Sequence, residues 1–474
     1  MNRTKIICTL GPATDVPEVL REMVVSGLNV ARLNFSHGSH EEHKIRAEAV
    51  KRLRKELGKP VAVMIDTKGP DIRVGRFAEN FIELQAGQDF TLVTYPITGD
   101  GGRTYITYAD LPKHVRAGDS ILLDDGLISI KVVEVRTEEI ACTVLSGGIL
   151  ANNKSLNVPG ISLNIPYMRD KDIDDIKFAI DNDFDYIAAS FVREAADVLA
   201  IRELMKANNA ANIKIIAKIE NSEGIANIEE ILAVSDGIMV ARGDMGVEID
   251  FRELPSIQKM LLKKAARAGK ISITATQMLE SMIAKPRPTR AEITDVANAI
   301  YDGSGAIMLS GETAVGKYPL ETLRTMVSIA ERTEQDIDYR KRFTQVVREG
   351  GQGRENNTDA ISHAVCSIAD DIAARAIITP TQTGYTANMV SCYRPTVPII
   401  ACTPNEKEYY QMALFWGVSP VISHPDGGFD SIYESSLESA LFAGLVKKGD
   451  TVVVTAGMSP GNTGGTNSIR IGII

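Results

Sequence analysis

Lys218 and Glu220 stand two residues apart at the C-terminal end of the apolar run IKIIAKIE (213–220), and the two-residue period of a strand turns both side chains to one face. The same spacing recurs where other apolar runs end, in Arg32, Asn34 and Ser36, in Asp66 and Lys68, in Arg242 and Asp244, and in Ser310 and Glu312. One charged pair at a strand end is commonly a structural ion pair; a whole series of them is harder to explain that way. Glu220 and Asp244 offer hard carboxylate oxygens to a magnesium ion that keeps water and shares substrate oxygens, with Lys218 as a point charge beside it. These parts suit metal-assisted phosphoryl transfer, in which positioned cations stabilise charge spread over the moving group and no protein nucleophile is needed. Gly243 allows close backbone approach to an anion, and GVEIDFRELPSIQKM (246–260) reads as a helix whose first amides favour anions.

Such side chains need a scaffold that brings strand ends together. Within the first 335 residues eight apolar runs are each followed by a helical pattern: IICTL (6–10), LNVARLNFS (28–36), VAVMIDTK (61–68), DYIAASFV (185–192), IKIIAKIE (213–220), GIMVARGD (237–244), ISITATQ (271–277) and AIMLSGE (306–312). The alternation implies parallel strands joined by right-handed crossovers, and eight is the count that closes a (β/α)8 TIM barrel; an open doubly wound sheet is the alternative from periodicity alone. The long gap between Lys68 and Asp185 holds alternating stretches such as FTLVTY, SILLDDGLISIKVVEV and IACTVL. They predict an inserted β-rich lid, a small β-barrel, on the polar rim.

The expected domains are a catalytic barrel (1–70 and 168–343), the lid (71–167) inserted after strand three, and a C-terminal open α/β regulatory domain (355–474), with the polar, Gly-bearing sequence FTQVVREGGQGRENN, at about 344–358, as linker. A chain of 474 residues accommodates about three domains. A net charge of −9 disfavours nucleic acid or an anionic membrane as partner, so an anionic substrate would need local cations or metals. The five cysteines lack a Cys-x-x-Cys pair and read as reduced thiols. No apolar run is long enough to span a bilayer and MNRTKIICTLGP lacks a signal-peptide core, which predicts a cytoplasmic protein.

Several motifs together carry a resemblance: ARLNFSHG (31–38), DTKGPDIR (66–73), IIAKIENSEGI (215–225), VARGDMGVE (240–248), ATQMLESM (275–282), KPRPTRAE (285–292) and IMLSGET (307–313) are similar to motifs of the pyruvate kinase family, and the likeness runs over essentially the whole chain. The resemblance implies transfer of a phosphoryl group from phosphoenolpyruvate to ADP, giving ATP and pyruvate, the final step of glycolysis. It implies that Lys218 stabilises the group in flight, that Glu220 and Asp244 hold magnesium (or manganese), and that Asn34, Ser36, Asp66 and Thr67 hold potassium. By the same resemblance Arg32 and Arg73 grip phosphates, Lys154 and His37 reach nucleotide, Gly243 lies against substrate, and Thr276 stands by the enolate carbon. Asp71 in the motif accompanies potassium dependence, although Val74 is less typical of that subgroup.

The family also implies a homotetramer and an allosteric sugar-phosphate or nucleotide (AMP) effector, for which Thr381, Thr383, Gly384 and Thr386 in TPTQTGYTA (379–387) and the loop GMSPGNTGGTN (457–467) are the expected cradle. That second loop lacks the tryptophan and arginine of relatives that bind fructose 1,6-bisphosphate, which leaves the effector's identity open. Three other signals are set aside. GETAVGKY (311–318) fails the Walker A pattern at Tyr318; His37, His40 and His43 fit the start of a helix, with Ser39 and Glu42 as a capping box, better than a metal cluster; and Trp416 reads as packing. A metal-dependent aldolase or lyase acting on pyruvate and a non-catalytic phosphate sensor remain the rival readings.

Overall fold

Eight short strands with both faces covered close into a parallel barrel. They are β1 (Lys5–Thr9), β2 (Val30–Asn34), β3 (Ala62–Asp66), β4 (Tyr186–Ala189), β5 (Lys214–Ile219), β6 (Gly237–Ala241), β7 (Ile271–Ala275) and β8 (Ala306–Leu309). The structure, a computed structural model, describes residues 2–348, 357–425, 428–457 and 465–474. Each strand pairs in parallel with its neighbours in chain order, and β1 pairs with β8 to close the ring, as in the register Cys8 to Leu309. The runs are almost wholly apolar because alternate residues face two different cores. Ile6 and Cys8 pack outward against the helices, whereas Ile7, Val30, Met64 and Ile216 fill the barrel. The eight-stranded expectation holds and the open-sheet alternative does not.

The helices between strands start where local chemistry says they should. Ser39 Oγ accepts a hydrogen bond from the Glu42 amide and the Glu42 carboxylate accepts one from the Ser39 amide, so the capping box opens the helix His40–Glu56. Among the described residues no helix is long and apolar enough to cross a membrane.

Between β3 and β4 the chain builds a seven-stranded, mostly antiparallel sheet in the order Ile72–Arg73, Ser155–Asn157, Ser120–Leu123, Ile128–Val135, Glu139–Ser146, Asp89–Val93, Arg103–Tyr105. Its two ends meet: Thr107 N donates to Arg73 O at 3.0 Å and Gly75 N to Tyr105 O at 2.7 Å, which curls the sheet into a small barrel. The module rests on the rim of the large barrel through Asn157 to Glu248 (2.8 Å) and Arg193 Nη1 to Leu163 O (3.1 Å).

The C-terminal part is an open five-stranded sheet in the order Val418–Ile422, Ile399–Thr403, Ala376–Pro380, Thr451–Ala456, Ser468–Ile473, parallel except for the last strand. Its core is continuous with the barrel interior, because Met412 and Leu414 plug the barrel's lower end in one cluster with Met64, Tyr186 and Ile216. The expected linker is shorter than its composition suggests. A helix covers Tyr339–Arg348, since its first half carries no glycine or proline, and another begins at Asn357; residues 349–356, which hold the glycines, lie outside the described residues.

Candidate active site

Strands β2 to β5 end on one rim, and their registers decide which side chains meet there. Asn34 pairs with Asp66, and Asp66 with Ala188. Lys218 Nζ lies 3.1 Å from Asp66 Oδ1 and 3.0 Å from Glu220 Oε1, and it donates to Ser190 Oγ at 2.7 Å. The other Asp66 oxygen accepts from Arg32 Nε at 2.7 Å, and Arg32 Nη1 donates to Thr9 Oγ1 at 2.7 Å. Two cations thus share one buried carboxylate.

The electrostatics follow from this crowding. Burial would raise the Asp66 pKa, but Arg32 and Lys218 outweigh it and hold the carboxyl below its usual range. Burial likewise works against the Lys218 charge, yet Asp66 and Glu220 hold its pKa above that of an ordinary lysine. Glu220 is pushed up, first by burial and then by Asp244, while Lys218 pulls the other way. Glu220 Oε2 accepts the Phe191 amide at 2.6 Å; Glu220 Oε1 is buried and faces the Lys218 ammonium at 3.0 Å, with no well-aligned hydrogen bond to it. That oxygen therefore keeps lone-pair capacity that would suit a metal ion. Asp244, whose charge reaches both Glu220 and Lys218, forms no ion pair among the described residues. No group of three or more His, Cys, Asp or Glu converges as a protein-only cage among the described residues, so the pair fits an ion that completes its shell with water and substrate oxygens.

The oxygen donors expected for a monovalent ion lie beside this cluster. Asn34 Oδ1 accepts from the Ser36 amide at 3.1 Å, and Thr67 is buried with its carbonyl turned to Ser190 Oγ at 2.6 Å. His37 lies in the turn after β2, where partial burial and the cations Arg73 and Arg32 lower its pKa. Arg73 pairs with Asp71 and donates to Asn153 O at 2.8 Å; Lys154 pairs with Asp124 at 2.8 Å; both cations project from the inserted barrel. Thr276 is a β-branched residue in left-handed backbone (φ 71°). It is held there because its hydroxyl accepts the Gly243 amide at 2.8 Å and its carbonyl accepts Arg242 Nη2 at 2.6 Å.

Three of the expected rim pairs are corrected. Strand β6 stops at Ala241, so Arg242 and Asp244 belong to a helix, Arg242–Glu248, and do not share a face by strand period. Arg242 turns away to Asp295 at 2.7 Å, leaving Asp244 at the site. The single helix expected over 246–260 is likewise two, the second being Leu254–Arg267, with Pro255 in its first turn. Strand β8 stops at Leu309, and buried Glu312 serves structure by accepting the amides of Leu279 (3.1 Å) and Ser310 (2.6 Å). Lys68 pairs with Asp71 at 3.2 Å rather than joining Asp66. The histidines form no cluster: His40 meets Asp175 and His43 meets the His37 carbonyl. Trp416 is buried under the Arg394 guanidinium at 4.4 Å, as packing.

Ser190, Phe191 and Thr9 join the site, and their only signal in the sequence is that SFV ends the apolar run DYIAASFV (185–192) and Thr9 stands near the end of IICTL (6–10). Thr381, Thr383 and Gly384 lie apart from this rim, in the turn between Ala376–Pro380 and the helix Tyr385–Cys392, and Thr386 lies in the first turn of that helix. There Thr386 Oγ1 meets Thr466 Oγ1 at 2.8 Å, while residues 458–464 of the second expected loop lie outside the described residues.

Comparison with known proteins agrees with this architecture part by part. Residues 1–323 match the family model for the pyruvate kinase barrel domain, and residues 359–472 match the model for the pyruvate kinase alpha/beta domain. A pyruvate kinase of Clostridium acetobutylicum is 48% identical over the full length of both chains. Those of Geobacillus stearothermophilus and Sporosarcina psychrophila are 49% and 46% identical over all of this chain, which spans 80% and 81% of their length. With both segments matched and near-half identity end to end, this chain belongs to the pyruvate kinase family.

Proposed function

We propose that the rim cluster of Lys218, Asp66, Arg32, Glu220 and Asp244 transfers the phosphoryl group of phosphoenolpyruvate to ADP, giving ATP and pyruvate. The observation that carries this reading is the buried meeting of the Lys218 ammonium with Asp66 at 3.1 Å and Glu220 at 3.0 Å, within reach of the charge of Asp244. A divalent cation held by Glu220 and Asp244 would supply Lewis-acid polarisation of the substrate oxygens. Lys218, kept charged by Asp66, presents an ammonium to the phosphoryl oxygens, and Arg32 adds a guanidinium whose direction is fixed by Asp66 and Thr9. Arg73 and Lys154 bring the positive charge that a nucleotide's phosphates require from the lid side. Thr276, whose hydroxyl accepts from the Gly243 amide and donates to Ala275 O at 2.6 Å, would stand by the enolate carbon and help organise its protonation. Asn34, Ser36, Asp66 and Thr67 supply oxygens for potassium, and magnesium is the expected divalent ion.

The inserted barrel (71–167) acts as a lid in this reading, and the part from 355 onward carries regulation through a phosphorylated effector at Thr381, Thr383, Gly384 and Thr386. A homotetrameric, cytoplasmic enzyme is the accompanying expectation. ADP-dependent formation of pyruvate and ATP from phosphoenolpyruvate, present in the wild type with magnesium and potassium and lost in Lys218→Met, tests the proposal. Lyase activity on pyruvate without ADP would support the rival chemistry instead.

A further inference from the structure

Ser190 follows β4, is 1% exposed, and touches three parts of the rim at once. Its Oγ accepts from Lys218 Nζ at 2.7 Å and lies 2.6 Å from Thr67 O and 3.2 Å from Asp66 Oδ1. A hydroxyl has one proton, and the short contact to the Thr67 carbonyl takes it, so a lone pair is left aimed at the ammonium. We propose that Ser190 is the positioning residue for Lys218, acting through it rather than on substrate. This rests on the phosphoryl-transfer reading above.

The argument is one of direction. Lys218 sits on a flexible four-carbon stem between two carboxylates, Asp66 and Glu220, either of which could draw the ammonium onto itself. A neutral hydroxyl gives the third tetrahedral direction of the NH3 group a fixed partner without cancelling its charge. The hydroxyl is itself held rigidly. The Ser190 amide donates to Thr67 Oγ1 at 3.2 Å, and the turn at Gly69 packs so close that a Cβ there would fall 2.9 Å from Ser190 O. Gly69 has φ 68°, a conformation that also favours glycine. The next residue completes the device: Phe191, at φ 55°, turns its amide to Glu220 Oε2 at 2.6 Å. Two consecutive residues thus fix the lysine with a side chain and the carboxylate with a backbone amide.

Ser190→Ala is the direct test. The expected result is a kcat lowered about 10- to 100-fold, the range for losing a hydrogen bond to a charged group, with KM for phosphoenolpyruvate and ADP changed less than about threefold. Ser190→Cys, a poorer acceptor of similar size, should fall between alanine and wild type. A crystal structure of the alanine variant should show Lys218 Nζ displaced from its place between Asp66 and Glu220. An unchanged kcat, an unmoved Nζ, or a loss of activity that follows loss of folded protein in thermal melts would overturn the proposal. If the wild type itself makes no ATP from phosphoenolpyruvate, the kinase reading falls, and the position of Nζ in the alanine variant still decides the role of Ser190.

Discussion

Asn157 Nδ2 donates to Glu248 Oε1 at 2.8 Å, joining the inserted barrel's return strand to the end of the helix Arg242–Glu248 that carries Asp244. The bond lies beside a cavity lined by Asp71, Arg193, Asn221, Glu223 and Asp244, so it spans the gap between lid and rim. Burial, more than the amide of Asn157 can offset, raises the pKa of Glu248. Asn157→Ala should therefore loosen the lid without disturbing the large barrel. Faster hydrogen exchange over residues 155–158 and a KM for ADP raised about two- to tenfold are expected, as one net hydrogen bond is worth that much. Unchanged exchange there would refute the latch.

Glu220→Gln keeps the shape of the side chain and removes a charge that burial disfavours. The metal-free variant should melt within a few degrees of the wild type. Magnesium should raise the melting temperature of the wild type but not of the variant, through ligand linkage. Turnover should fall by about 100-fold or more, the scale of losing a preorganised electrostatic stabiliser.

Asp71 pairs with Lys68, Arg73 and Arg169, at the start of the lid. Burial raises its pKa, but Arg73 and Lys68 outweigh burial and carry it below the ordinary carboxylate value. The stabilisation is therefore complete above the unfolded-state pKa of about 3.9 and is lost as pH falls through the lower folded-state value. Urea midpoints of wild type and Asp71→Asn should differ by a constant amount above about pH 5 and converge on acidification below about pH 4. A difference that grows in acid would contradict the assignment.

Gln411 is fully buried where the C-terminal part meets the barrel's lower end. Its Oε1 accepts from Lys214 Nζ at 2.6 Å, and its Nε2 donates to Asp185 O at 3.0 Å and Asn212 O at 2.7 Å. Lys214 opens β5, the strand that carries Lys218. Gln411→Ala leaves two carbonyls without this donor and should cost about 2–4 kcal/mol in denaturant unfolding. A loss under about 0.5 kcal/mol would show the joint to be solvated.

Much of the site could be read before folding was considered, because strand periodicity is a local property. Lys218 with Glu220, and Arg32 with Asn34, share faces for that reason, and the register of Asn34 to Asp66 then brings adjacent strands' ends together. Where the period was carried past the true strand end it misled: β6 and β8 stop at Ala241 and Leu309, and Arg242 and Glu312 are engaged in structural bonds.

The order of apolar runs and the types of charge at their ends determined eight strand-and-helix units with cationic and acidic strand ends, since burial on two faces and alternation are written residue by residue; closure came only with the pairing of β1 and β8. Only the tertiary structure decided that Asp66 is shared by Arg32 and Lys218, that Ser190 holds the lysine, and that the inserted sheet closes through Arg73 and Thr107. Those contacts join residues far apart in the chain, and a hydroxyl or a backbone amide acquires its role from where packing aims it, which no local pattern encodes.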